Sequence, residues 1–492
     1  MTELATWLPT YLPIIYFLTS SITAAPATSS PSNVAQANYG VLLDAGSTST
    51  KLKVYRWNQT TGDSLVPRID LLANERFDNG LGSFEEDEIG LVSYISSIVS
   101  RAKQDVPDHK QKSTPIYLMA TAGLRYLTEK EAEVFLEKIQ AVLANTTINP
   151  FLYKSSSITI LSGEEEGVYS WIAANYLNGF FDKYRPENET VGILEMGGGS
   201  TQIAFIPHGP LFSEEYQAIV AGRAYQLYVQ SYLQFGANAI SQKVVYALLH
   251  GSLNQSEVEN PCMLREDSRN TTLDDGRLIL EKGTGDPEAC LQILRKFLHP
   301  NTGQDCSPKP CAIGSVYQPS VDNLKFVATQ AFTYTPENLK VVDDDKILHI
   351  DKLEEAAIYH CNRTLEQAVN ESGMDPQYVS SDCLMGLYIP TLVTLSYGFN
   401  SNSTNIQLTS KINGGTVDWA LGAMLVELSN SFGSPKFNYS IQCTKGMPAV
   451  TTGYNKGNHS TSLHSNHLQI CVLLLSLAIV LRNCIYFDIS KV

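Results

Sequence analysis

One short pattern is written twice in this chain, and it constrains the fold more than any other feature. Residues 41–55 read VLLDAGSTSTKLKVY, and residues 192–206 read GILEMGGGSTQIAFI. With Asp44 laid on Glu195, Gly46 falls on Gly197, Ser49 on Ser200 and Thr50 on Thr201. Each copy is an apolar run, a turn of small residues and a second apolar run, the pattern of a two-stranded hairpin with a polar tip. A repeat of this unit in register predicts two similar lobes, each opening on the same hairpin.

The chemistry of the turn narrows the reading. Glycines let backbone N–H groups face one point without Cβ interference, and such a concavity binds oxyanions. Ser and Thr hydroxyls add donors. Gly46, Ser47, Thr48, Ser49 and Thr50 in the first turn, and Gly197, Gly198, Gly199, Ser200 and Thr201 in the second, are therefore candidate phosphate-binding residues. A carboxylate beside them would repel a phosphate. Asp44 and Glu195 make sense only with a divalent cation, or its waters, between them and the anion. Two such hairpins facing each other would clamp a chain of two or three phosphates. No G-x4-G-K-[ST] sequence occurs, so this is not a P-loop protein. Taken singly, each turn reads as an ordinary Gly-rich turn; the repeated carboxylate favours a site.

Between and after the hairpins, strand and helix signals alternate, which predicts an α/β class. Residues 91–104 carry an amphipathic helical pattern, and 114–123 read as a strand ending in small residues. Thr128 and Glu131 have capping-box spacing, so a helix follows them. A strand at 157–163 and a helix at 164–181 precede the second hairpin. From 239 to about 318 the text is polar and carries cysteines and N-x-S/T sequons, read as an insertion. Strand and helix signals return at 324–335 and run to 414–428.

The formal net charge of −15 comes without the basic stripe of a nucleic-acid-binding protein, so no nucleic-acid partner is expected. Both ends are apolar. Residues 5–25 read as a signal peptide or a retained anchor. Residues 466–483 read as a transmembrane helix followed by a short cytoplasmic tail, with a glycolipid-anchor signal as the competing reading. Sequons at Asn58, Asn145, Asn188, Asn254, Asn270, Asn362, Asn370, Asn402, Asn438 and Asn458 place the intervening chain in a secretory lumen or outside the cell. Nine cysteines are present, none before Cys262. Cys262 with Cys290, Cys306 with Cys311 and Cys361 with Cys383 are candidate disulfides of an oxidising compartment, zinc ligation being the alternative.

Five blocks, LLDAGSTSTKLKVYRW, YLMATAGLR, LSGEEEGVYSWIAANYL, LEMGGGSTQIAF and VDWALGAML, occur in the order in which they are found in the apyrases, the nucleoside triphosphate diphosphohydrolases. Over residues 39–443 the chain resembles that family, and the text between the first and third blocks looks most like its intracellular, Golgi or lysosomal, branch. The resemblance implies two RNase H-like lobes of the actin and sugar-kinase type with the active site in the cleft between them. It also implies hydrolysis of nucleoside tri- and diphosphates with Ca2+ or Mg2+. The spacings of Cys306/Cys311 and Cys361/Cys383 resemble family disulfides. By resemblance, Glu166 is the general base, Ser200 and Gln202 orient the attacking water or the metal shell, Thr121 is a further catalytic candidate lining the cleft, and Ala122, Gly123 and Arg125 are phosphate-binding candidates beside it. Asp44 and Glu195 would hold metal-bound water. Arg125 is a candidate for steadying charge, or a structural ion pair. Phe332 and Tyr334, with Tyr397 and Phe399 opposite, are candidates for the nucleobase walls. Glu195 departs from the family, which usually has Asp at this position, and that bears on metal preference.

The expected organisation is a signal or anchor with linker over 1–38, lobe I over 39–160 and lobe II with its cysteine-bearing insertion over 161–415. A return to lobe I over 416–445, a linker over 446–465, the membrane span over 466–483 and a tail over 484–492 complete it. Two rivals share the hairpins: a sugar kinase, which would need an acceptor and the cytosol, and a nucleotide-binding scaffold without turnover. The topology has its own test. Protein from a glycosylating host should lose mass on treatment with an N-glycosidase, and an unchanged mass would remove the lumenal assignment.

Overall fold

The computed structural model describes residues 37–58, 65–213, 215–249, 251, 254–273, 276–298, 307–432 and 440–443. The chain divides into two units, 1–446 and 447–492, and every described residue lies in the first. The two expected membrane segments and Cys306 lie outside the described residues.

β1 (Asn38–Ala45) and β2 (Ser49–Trp57) form the first hairpin, followed by β3 (Ile69–Asp78), β4 (Ile116–Ala120) and β5 (Ile158–Ile160). They make one sheet in the order β3-β2-β1-β4-β5, in which β1, β2 and β3 are antiparallel and β4 and β5 run parallel to β1. β6 (Gly192–Met196) and β7 (Ser200–Phe205) form the second hairpin, joined by β8 (Glu215–Val220) and β9 (Arg223–Leu233). An insertion holds β10 (Glu257–Asn260), β11 (Ser268–Thr272) and β12 (Leu278–Gly283), which form a separate sheet. The chain continues through β13 (Phe326–Gln330), β14 (Ile406–Leu408), the ribbon of β15 (Lys411–Ile412) and β16 (Gly415–Thr416), and β17 (Ser440–Cys443).

The second main sheet runs β14-β13-β6-β7-β9-β8-β17. Without β8 and β17, its order and directions repeat the first sheet. A hairpin carries an antiparallel third strand beside its second strand and two parallel strands beside its first. The repeat seen in two short stretches of sequence is therefore a repeat of whole sheets, and the fold is the two-lobed, RNase H-like α/β architecture.

The central strands β1, β4, β6 and β7 are buried on both faces, which is why they read as near-continuous apolar runs. In β1, Val41 and Leu43 face a core built with α1 (Glu88–Ala102) and α2 (Glu129–Ala144), while Leu42 faces the opposite layer. In β6, Leu194 and Met196 face the second lobe's core and Ile193 faces that same opposite layer. The shared layer contains α3 (Gly163–Leu177) and, far along the chain, α10 (Trp419–Phe432). α3 starts cleanly because Ser162 and Glu165 form a reciprocal capping box. It is apolar nearly all round, as a helix enclosed between two sheets must be.

Several expectations change. β17 pairs with β8, so residues 440–443 extend the second sheet and are not part of a return to the first lobe; an open antiparallel edge accepts them there. The 324–335 stretch breaks at Gln330, where β13 gives way to a short helix, so Phe332 and Tyr334 are helical. The insertion also contains α4 (Ala237–Leu249) and α5 (Pro287–Leu298), and is tied by the Cys262–Cys290 disulfide. The second lobe's core is closed by α6 (Ala331–Asn338), α7 (Ile350–Cys361), α8 (Leu365–Ser372) and α9 (Pro376–Thr391). Cys361 and Cys383 form a disulfide between α7 and α9. The stretch Pro376–Ser396 is long and apolar enough to cross a membrane, but it is buried in this core, packed on α5 and α7.

The close crossing of α3 and α10 depends on Gly422. A Cβ added there would lie 2.0 Å from the backbone oxygen of Tyr169. In an open helix, Gly→Ala is stabilising by about 1 kcal/mol. Gly422→Ala should instead destabilise the protein by about 1–3 kcal/mol, read as a lower midpoint in denaturant, and a raised midpoint would refute this packing.

Candidate active site

The two hairpins close with the same bond. Gly46 N–H donates to the Ser49 carbonyl at 2.9 Å, and Gly197 N–H donates to the Ser200 carbonyl at 3.0 Å. The Asp44/Glu195 alignment drawn from the sequence is thus the structural register. The tips meet: a Cβ added to Gly198 would lie 2.9 Å from Ser47 Oγ. The Tyr126 hydroxyl also donates across to the Gly199 carbonyl at 3.3 Å.

In the second tip, every glycine carbonyl is taken. Ala237 N–H donates to Gly197 O, Asn238 and Ala239 N–H to Gly198 O, and Gln234 N–H to Gly199 O. In a planar trans peptide the N–H points opposite to the preceding C=O. The N–H groups of Gly198 and Gly199 therefore turn away from the residues that open α4, and that of Ser200 turns away from Gln234. This is how a glycine run becomes an anion cradle.

Strand alternation sorts the remaining hairpin residues. Ser200 and Gln202 share one face, and the Gln202 amide donates to Ser200 Oγ at 2.8 Å. Thr50 and Thr201 point the other way. Both are fully buried, and the Thr201 hydroxyl is spent on the Glu195 carbonyl at 2.8 Å, so neither can reach a phosphate as expected. Ser47 and Thr48 are exposed at the first tip, with Gly46 behind them.

Glu166 lies in the first turn of α3, where a helix N-terminus favours a carboxylate. Its Oε2 accepts from the Arg125 guanidinium and, at 3.2 Å, from the Gln202 amide. Arg125 is set by the turn after β4, in which Thr121 N–H donates to Ala45 O and Arg125 N–H to Ala122 O. Thr121 and Ala122 are buried in that turn, and Gly123 backs against Ser47. Of the two roles expected for Arg125, the ion pair is present, and its partner is the expected base.

Glu195 is almost fully buried. The Ser170 hydroxyl donates to its Oε2 and the Gln330 amide to its Oε1. Asp44 stands opposite Lys51 in the β1–β2 ladder, with Lys51 Nζ 3.9 Å from its Oδ2. Burial is the largest influence on all three carboxyls and raises each. Glu166 is raised to about 7 against the pull of Arg125, and Glu195 to about 8, with Glu166 adding to the rise. Asp44 is raised despite Lys51 and Lys53.

The donor set suits a hard cation. Among the described residues, no group of three or more His, Cys, Asp or Glu could hold an ion directly. Oxygen acceptors nonetheless line the junction, and Gln202 Oε1 is buried without a protein partner. Such a set fits Ca2+ or Mg2+ held through water and phosphate oxygens.

Of the expected nucleobase aromatics, three are corrected. Phe332, Tyr397 and Phe399 belong to the second lobe's core, Phe399 edge-on to Phe326 and Tyr397 beside Thr201. The helical break at Gln330 turns Phe332 inward. Tyr334, 59% exposed, is the one of the four that offers an open face.

Sequence reasoning missed Ser170, Gln330, Lys51, Lys53 and Asp418. The buried Lys53 ammonium donates to Asp418, which also accepts the Leu421 N–H near the start of α10. The alternation S-K-K along β2 signals a polar face in an otherwise apolar strand.

Residues 31–439 match the GDA1/CD39 (nucleoside phosphatase) family. A chicken protein named ectonucleoside triphosphate diphosphohydrolase 8 is 28% identical over 484 residues, covering 91% of each chain. A Caenorhabditis elegans protein named nucleoside-diphosphatase mig-23 is 26% identical over 459 residues, covering 85% of this chain and 82% of that one. The solved structure of a nucleoside triphosphate hydrolase from Neospora caninum superimposes with a TM-score of 0.60 at 16% identity, covering 81% of this chain and 93% of that one, which shows the fold. With five sequence blocks, two equivalent lobes and a match over nearly the whole chain, this protein belongs to the GDA1/CD39 (nucleoside phosphatase) family.

Proposed function

We propose that the chain hydrolyses the terminal phosphate of nucleoside tri- and diphosphates, with Ca2+ or Mg2+ as cofactor and Glu166 as general base. The observation that carries this is the Gln202 amide, which touches both Glu166 and Ser200 and so joins the base to the second hairpin. The N–H groups of the hairpin tips hold phosphate oxygens in line. Arg125 opposes the rise that burial causes in Glu166, and Glu166 takes a proton from the attacking water. Ser200 and Gln202 orient that water. Asp44 and Glu195 would hold the cation through its waters, and the cation would supply charge neutralisation on the phosphates. Tyr334 is the candidate surface for the base.

The same reading sets the protein in a membrane, with its catalytic unit in a secretory lumen or outside the cell. Support comes from the sequons: Asn58, Asn145, Asn188, Asn254, Asn270, Asn362, Asn370 and Asn402 are all exposed. The two disulfides fit the same compartment.

Phosphate release from a nucleoside triphosphate without any acceptor tests the reaction and excludes both a kinase and an inert scaffold. Glu166→Gln should lower that rate about 10²-fold or more, with binding of a non-hydrolysable triphosphate analogue little changed. Turnover near wild type would move the base elsewhere.

Stability against pH gives a second test. Glu166 and Glu195 hold their protons more tightly folded than unfolded, where the ordinary value is 4.5. Their contribution is therefore full below about 4.5 and is lost as pH rises through about 7 and about 8. In chelator, the melting temperature should fall across this window, and Glu195→Gln should flatten the fall. A divalent cation with a triphosphate analogue should restore it. Equal slopes for wild type and Glu195→Gln would contradict the burial of this charge.

A further inference from the structure

The hairpins are equivalent, but their carboxylates are not. Asp44 in the first faces Lys51 across its own hairpin. Glu195 in the second has one more methylene and turns to residues outside its hairpin. Its Oε2 meets Ser170, one helical turn after Glu166 on α3, and its Oε1 meets the Gln330 amide at 2.5 Å. Gln330 closes β13, the parallel neighbour of β6, in register beside Met196, the residue after Glu195. Its backbone has φ 58° and ψ −123°, a conformation that glycine adopts more readily. A glutamine kept there has a side-chain contact that glycine could not make.

We propose that Gln330 and Ser170 are positioning residues that fix the direction of the Glu195 carboxylate, so that the second lobe presents a pre-aimed acceptor to the hydrated cation. This rests on the cation-dependent hydrolase reading above. An ionised carboxylate has about four acceptor sites. Ser170 and Gln330 take one on each oxygen, and the remaining sites are left in a defined direction. The clamp is set from two elements of the second lobe, α3 and β13. Neither depends on the first hairpin for its place in the sheet or helix. The aim of Glu195 is therefore built before any ion arrives, and the extra methylene is used sideways, toward the clamp.

The test removes the amide and follows the cation. Gln330→Met keeps length and volume without the donor, and Gln330→Gly removes the side chain while relieving the backbone. Both should raise the Mg2+ or Ca2+ concentration for half-maximal phosphate release about 10-fold or more. Calorimetry should show the same shift in the cation dependence of binding a non-hydrolysable triphosphate analogue. Gln330→Gly should melt no lower than wild type, which separates the clamp from folding and keeps the test usable if Gln330→Met folds poorly. In Glu195→Asp the carboxylate falls short of the amide. Adding Gln330→Met to it should change the cation requirement by less than about 2-fold. An unchanged cation requirement in both single variants, or effects that multiply in the double variant, would overturn the clamp. Wild-type protein that neither binds the analogue nor releases phosphate would overturn the hydrolase reading itself, and the clamp with it. Wild-type activity with insensitive Gln330 variants would overturn the clamp alone.

Discussion

Three carboxyls, Asp44, Glu166 and Glu195, are buried at one junction, and the cost of holding their charge away from water is the constraint around which this structure is organised. Burial raises all three. Protein cations compensate unevenly: Arg125 pairs with Glu166, Lys51 stands near Asp44, and the buried Lys53 pairs with Asp418. Glu195 has neutral donors only, Ser170 and Gln330. Protein cations thus match only part of the charge these carboxyls would carry when ionised, and a divalent ion would complement the rest.

The duplicated lobe is the means of collecting these groups. A single hairpin offers one carboxylate and one candidate anion cradle. Two equivalent sheets, with their hairpin tips opposed, bring two of each to one place. The layer of α3 and α10 then adds what neither hairpin contains. α3 carries Glu166 and Ser170 a turn apart, and the start of α10 is tied to β2 through Lys53 and Asp418. Sheet order is what aims these residues: β4 beside β1 delivers Arg125, and β13 beside β6 delivers Gln330.

Much of this was legible because it is local and periodic. The register of Asp44 and Glu195, the capping box before Glu166 and the alternation of apolar runs are all written within short windows. What was not legible depends on distance or on a single backbone break. Asp418 stands in a block that was quoted, yet its partner Lys53 is 365 residues away. Ser170 looks like any helix residue until β6 is laid against α3. Phe332 failed at Gln330, where a strand becomes a helix and turns this ring inward, while Tyr397 and Phe399 are spent on the second lobe's core. Thr50 and Thr201 failed for a simpler reason: in a strand, adjacent residues cannot share a face.

α3 carries two side chains of unlike duty on one stripe. Glu166 accepts from Arg125 and Gln202, and four residues later Ser170 donates to Glu195. A helix moves as a rigid rod, so any shift of α3 carries both side chains together. The contacts of Glu166 with Arg125 and Gln202 and the contact of Ser170 with Glu195 are thereby geared together through one helix.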